Sequence, residues 1–109
     1  MDMNDYQKAA LRTAAPKDKL NEVFHLVLGL TGEAGEIAEK TKKIVRDKKS
    51  DFSQLDLDDL TKELGDVLWY VAVLADHFAI PLEDVAKKNI AKLADRQKRG
   101  LIGGSGDNR

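Results

Sequence analysis

The chain has 109 residues, enough for one domain with a hydrophobic core but few for an enzyme that must also enclose a substrate, so a partner subunit would help. Lys+Arg 18 against Asp+Glu 19 leaves a net charge of -1, which excludes the global basic field behind non-specific nucleic-acid binding. Cysteine is absent, excluding disulfides and thiolate chemistry, and no apolar run approaches the roughly 20 residues of a bilayer span, so a soluble, cytoplasmic protein is expected, with no nucleic-acid or membrane partner.

With two prolines and with eight glycines confined to two central motifs and the end, most of the chain lacks helix breakers and an all-α, four-helix bundle-like subunit is predicted. The first helix runs from about Asn4, as N-cap, to Thr13, and Ala14 to Lys17 ends it. The second begins near Asp18 and ends around Arg46 or Asp47, with Leu20, Val23, Phe24, Val27, Leu30, Ile37, Ile44 and Val45 in its apolar stripe. Gly29, Gly32 and Gly35 interrupt it, each costing up to about 1 kcal/mol against alanine. Close packing of a neighbouring helix, a kink, or access for a ligand would each offset that cost.

A polar connection covers Lys48 to Leu55, and Asp56 caps a third helix reaching about Ala79, with Asp58 and Asp59 in its first turn. From Leu64 to Ile80 this helix is apolar on more than one side, so it should pack inside its own subunit and against a second one. Pro81 suits the first turn of a fourth helix, which ends near Arg99-Gly100. Residues 1–100 thus form a single helical domain, and 101–109 read as a flexible Gly-rich tail.

Two acidic pairs carry the chemistry: Glu33 and Glu36 on helix two, Glu63 and Asp66 on helix three. A spacing of i, i+3 puts both acids of a pair on one face, and antiparallel packing would bring all four together. Lys40 and Tyr70 share those faces within about 60° at 100° per residue and are candidate substrate contacts. Four uncompensated carboxylates repel one another, and a divalent cation is the simplest remedy. Oxygen-only ligands favour Mg²⁺, with Mn²⁺ as a possible substitute. A helix-bundle di-iron site would need Glu-x-x-His pairs, and the only histidines are His25 and His77, both weak candidates. On helix four, Asn89, Lys92, Arg96 and Arg99 fall within about 80° of one face and would suit a phosphate chain bridged to the acids by metal. Tyr6 and Gln7 on helix one are candidates for reading a base.

Gly-Leu-Thr-Gly-Glu-Ala-Gly-Glu-Ile-Ala-Glu at 29–39, Glu-Leu-Gly-Asp-Val-Leu-Trp-Tyr at 63–70 and Asn-Ile-Ala-Lys-Leu-Ala-Asp-Arg at 89–96 resemble the MazG-like nucleotide pyrophosphohydrolases of the all-α NTP pyrophosphatase superfamily. The family pattern ExxE, spacer, ExxD falls on Glu33, Glu36, Glu63 and Asp66. The resemblance implies Mg²⁺-dependent hydrolysis of a nucleoside triphosphate between the α- and β-phosphates, with these four acids as metal ligands and catalytic residues. It also implies that Asn89, Lys92 and Arg96 hold phosphates and that the subunits form a homodimer or a dimer of dimers. Some members carry a further Glu directly before the first motif acid, a candidate general base; here that position is Gly32, which leaves Glu36 or Glu33 as substitutes. Within the superfamily a phosphoribosyl-ATP or dUTP/dCTP-specific enzyme is the alternative, and outside it a non-catalytic Mg²⁺-binding helical interaction module.

Overall fold

The structure is a computed structural model, described here for residues 1–15 and 19–107. Its elements are α1 (Met3–Leu11), α2 (Lys19–Asp47), a 3₁₀ turn (Phe52–Gln54), α3 (Leu57–His77) and α4 (Leu82–Arg99), with no strand among the described residues. The predicted all-α class is therefore observed. The expected break through Pro16 and Lys17 and the expected helix start at Asp18 lie outside the described residues.

Helix α1 starts two residues earlier than predicted, because Asp2 rather than Asn4 is its N-cap. The Asp2 carboxylate accepts from the Asp5 N–H at 2.7 Å while that of Asp5 accepts from the Asp2 N–H at 3.3 Å, a reciprocal capping box. Asn4 is thereby released for a distant task at the start of α4. Pro81, predicted inside the first turn of α4, is instead its N-cap and offers no side-chain acceptor. The orphan N–H groups of Leu82 and Glu83 are satisfied from α1, by Gln7 Oε1 at 3.0 Å and Asn4 Oδ1 at 3.1 Å. Gln7 also donates both amide hydrogens, to Ala72 O at 3.1 Å and Ile80 O at 3.0 Å. Gln7 is buried, and this corrects its expected role: its amide ties α1 to the α3–α4 corner and is not presented to a base.

Asp56 caps α3 as predicted, accepting from the Asp59 N–H at 3.1 Å. The helix ends at His77, short of the expected Ala79, because Ala79 takes a left-handed conformation (φ 57) and the chain closes with Ala79 N–H donating to Asp76 O and Ile80 N–H to Ala75 O. The chain then turns by 104° into α4.

Helices α2 and α3 pack antiparallel along their length, since partner numbers fall on one helix as they rise on the other: Glu22 with His77, Gly29 with Tyr70, Lys40 with Asp59. Helix α1 lies across α3 and the start of α4, and Ala10, Leu26, Ala72, Val73 and Leu82 form the buried core. Trp69 borders it, its indole N–H donating to Ala10 O at 3.1 Å and Thr13 Oγ1 at 2.8 Å. Much apolar surface is left outside. Leu20, Phe24 and Leu28 on α2 are 81%, 64% and 68% exposed, and Leu64, Phe78 and Ile80 at the ends of the apolar stretch from α3 are also exposed. The radius of gyration is 16.8 Å, whereas a compact domain of this length is expected near 13 Å.

Candidate functional site

The acidic site forms where the second and third turns of α3 pass the middle of α2. One carboxylate oxygen from each of Glu33, Glu63 and Asp66 can be chosen so that all lie within 4.8 Å of one another. The antiparallel seam thus joins the two acidic pairs predicted from spacing, but it gathers three acids and not four. Glu36, one turn along from Glu33, is exposed and outside the group. The i, i+3 spacing alone does not decide this, since Glu63 and Asp66 share it and both join; of the α2 pair it is Glu33 that turns into the seam, half-buried where Glu36 is exposed.

The electrostatics match that crowding. Partial desolvation, then the charge of Asp66 and the proximity of Glu63 and Glu36, push the Glu33 carboxyl above its ordinary range. Burial and then the charge of Asp66 likewise raise the Tyr6 phenol. Glu63 Oε2 is buried and has no hydrogen-bond partner among the described residues.

On the other side of the seam, Lys40 forms an ion pair with Asp59 and lies 3.7 Å from Glu63 Oε1. The Asp59 hydrogen bond is the main cause holding the Lys40 ammonium above its usual range. Expected as a substrate contact, Lys40 is engaged by two acids of α3. In the sequence Asp59 reads only as a dipole partner in the first turn; its position four residues before Glu63, on the same face, is the signal of its contact with Lys40.

Beside the acids lies an open cleft of about 410 Å³ lined by Thr13, Glu33, Asp66, Trp69 and Tyr70. Tyr70 reaches this position because Gly29 lets it: a Cβ at Gly29 would come within 2.2 Å of the Tyr70 ring. Gly32 and Gly35 meet nothing within 4 Å, so close packing explains Gly29, while Gly32 and Gly35 leave one side of α2 open beside the acids. Thr13, also missed in the sequence as a site residue, stands at the rim and donates its hydroxyl to Ala10 O at 2.9 Å.

The predicted phosphate strip lies elsewhere. Asn89 and Lys92 open on to a cleft of about 500 Å³ at the α3–α4 corner, with Pro81, Asp84 and Lys88. Asp66 is eleven residues before the end of α3, about 16 Å along its axis, and α4 leaves that end at a steep angle. Within one protomer the strip and the acids therefore do not converge. Arg96 is 4% exposed, its guanidinium Nη2 donating to Asp107 O at 2.6 Å and Gly106 O at 3.3 Å, and Lys92 Nζ pairs with Asp107 at 3.0 Å. The segment after α4, expected to be flexible, contacts the strip at Gly106 and Asp107; Asn108 and Arg109 lie outside the described residues. Lys92 and then Arg96 hold the Asp107 carboxyl below its usual range. His77 sits at the far end of the α2–α3 pair, its Nδ1 3.5 Å from Glu22, and His25 is exposed.

The donor set fits a hard divalent cation. It is all oxygen, it is crowded enough to be mutually repulsive, and it contains a buried carboxylate oxygen with no protein donor.

Among known proteins, the MazG nucleotide pyrophosphohydrolase domain family matches residues 22–101, which includes both acidic pairs and the strip of α4. The Gene 37 protein of Mycobacterium phage L5 is 47% identical over 114 aligned residues, spanning all of both chains. YvdC of Bacillus subtilis (strain 168), an uncharacterized protein, is 38% identical over 72 residues, covering 62% of this chain and 68% of that one. No solved structure matches.

Proposed function

From the premise that this chain belongs to the MazG nucleotide pyrophosphohydrolase family, we propose that it hydrolyses a nucleoside triphosphate between the α- and β-phosphates, releasing the nucleoside monophosphate and pyrophosphate. The observation that carries this reading is the meeting of Glu33, Glu63 and Asp66 across the α2–α3 seam, with Glu63 Oε2 left unpartnered. These three acids would hold Mg²⁺, or Mn²⁺ in its place, and Glu36 would complete the set from the exposed side. The cation supplies charge neutralisation for the phosphates and acidifies water.

The chain's own groups do the rest. Tyr70 and Trp69 wall the cleft in which the nucleoside lies, and Thr13 closes its α1 side. With Gly32 in place of an additional acid, the proton released by the attacking water passes to Glu36 or Glu33. Asn89, Lys92 and Arg96 act on the phosphates of a substrate bound to another subunit, because their own acids are out of reach; a homodimer or homotetramer is the working unit. Pyrophosphate release from dNTPs and NTPs serves control of the nucleotide pool.

A nucleotide panel tests this proposal, with pyrophosphate detection in the presence of Mg²⁺. At least one nucleotide should be cleaved, and Glu63→Gln and Asp66→Asn should each abolish turnover while leaving helicity intact. Retained activity in both variants would sink the site assignment.

A further inference from the structure

Lys40 has a local partner it does not use. Glu36 lies four residues before it on α2, the favourable order for a helical Glu–Lys pair. Instead the ammonium reaches across the seam to Asp59 and stands 3.7 Å from Glu63 Oε1. Two consequences follow for the acids. Glu36 stays outside the ion pair, and Glu63 is held by one oxygen while the other is left buried without a protein partner.

We propose that Asp59 is a positioning residue of the acidic site: acting through Lys40, it fixes the Glu63 carboxylate by Oε1 and leaves Oε2 for a divalent cation. This rests on the metal-site reading above. Without Asp59, Lys40 keeps on α3 only the 3.7 Å contact with Glu63 Oε1, longer than a hydrogen bond, while Glu36 offers it a partner on its own helix. It would then pair with Glu36 along α2, leaving Glu63 free to rotate, and it would lower the negative charge at Glu36. Carboxylate ligands held by an outer hydrogen-bonded partner commonly lose about 10- to 100-fold in metal affinity when that partner is removed. Asp59 stands one step further out, hydrogen-bonded to Lys40, whose ammonium is in ion-pair contact with Glu63 Oε1 at 3.7 Å. Its own backbone N–H is capped by Asp56, so an isosteric amide leaves the helix start unchanged.

The test is a Mn²⁺ titration of the full chain, with free Mn²⁺ followed by electron paramagnetic resonance, for the unmodified protein, Asp59→Asn, Asp58→Asn, Lys40→Met and the Asp59→Asn/Lys40→Met double variant. Asp58 is the charge control: it loses the same charge, is 81% exposed in its side chain and pairs with Lys62 at 3.2 Å. Asp59→Asn should weaken Mn²⁺ binding about tenfold or more, and Asp58→Asn no more than about twofold, because an exposed charge is screened. In the Lys40→Met background the Asp59 substitution should add nothing. Unchanged affinity in Asp59→Asn, an equal loss in Asp58→Asn, or a full further loss in the double variant would overturn the inference and leave the metal site standing. Absence of Mn²⁺ binding in the unmodified protein would overturn the metal site itself, and this inference with it. Circular dichroism melts check folding, with Asp59→Ser as the substitute if Asp59→Asn does not fold.

Discussion

Gly29 and Gly32 stand three residues apart on α2 and meet opposite surroundings. A methyl at Gly29 would collide with the Tyr70 ring, whereas one at Gly32 would meet open space. Gly29→Ala should therefore destabilise the protein by about 1–3 kcal/mol, the usual range for overpacking. Gly32→Ala should stabilise it by up to about 1 kcal/mol through lost backbone freedom in the unfolded chain. Urea denaturation of the two variants checks both signs, and a stabilised Gly29→Ala would contradict the packing account. Three glycines at one step look alike in the sequence; which of them is crossed by an aromatic ring is set by the partner helix. The acids were legible for a different reason, because i, i+3 spacing on two helices already places each pair on one face. Gln7 was not, since its three partners lie 65 or more residues away.

The helices themselves were readable from breakers and stripes, and Asp56 was readable as a cap because its acceptor serves its own helix. What local pattern could not give is a cap supplied from another element, as Asn4 and Gln7 supply α4. Nor could composition reveal that the Gly-rich segment after α4 has an acid at Asp107 that finds Lys92 and Arg96. That contact carries a pH dependence whose sign is fixed. The Asp107 carboxyl is held below its unfolded value, so the contact is fully present above the ordinary aspartate range and is lost as pH falls through the lowered value. Amide resonances of residues 101–107 should thus report a docked segment at neutral pH and a released one in acid. Asp107→Asn should loosen it already at neutral pH, leaving only the Arg96 bonds to the Gly106 and Asp107 carbonyls. A segment whose shifts do not move with pH would refute the contact.

At the scale of the whole molecule, the antiparallel α2–α3 pair builds the acidic site within one chain, and the 104° turn after α3 carries the basic strip away from it. Spacing along a helix says nothing about such a turn, which is why the convergence of strip and acids expected from sequence is not met inside a protomer. The exposed Leu20, Phe24 and Leu28 stripe and the large radius of gyration give the separate surfaces a reason to meet between copies. Light scattering should accordingly give a mass of at least two chains. Phe24→Glu should yield monomers that lose turnover although Glu33, Glu63 and Asp66 are intact; active monomers would refute the shared site. The reaction proposed for the acidic site, cleavage between the α- and β-phosphates, is read from its products. Incubated with Mg²⁺ and a cleavable nucleoside triphosphate, the protein should yield monophosphate and pyrophosphate in equal amounts, and Asp66→Asn should yield neither. Diphosphate with orthophosphate as the products, or an undiminished yield from Asp66→Asn, would contradict it.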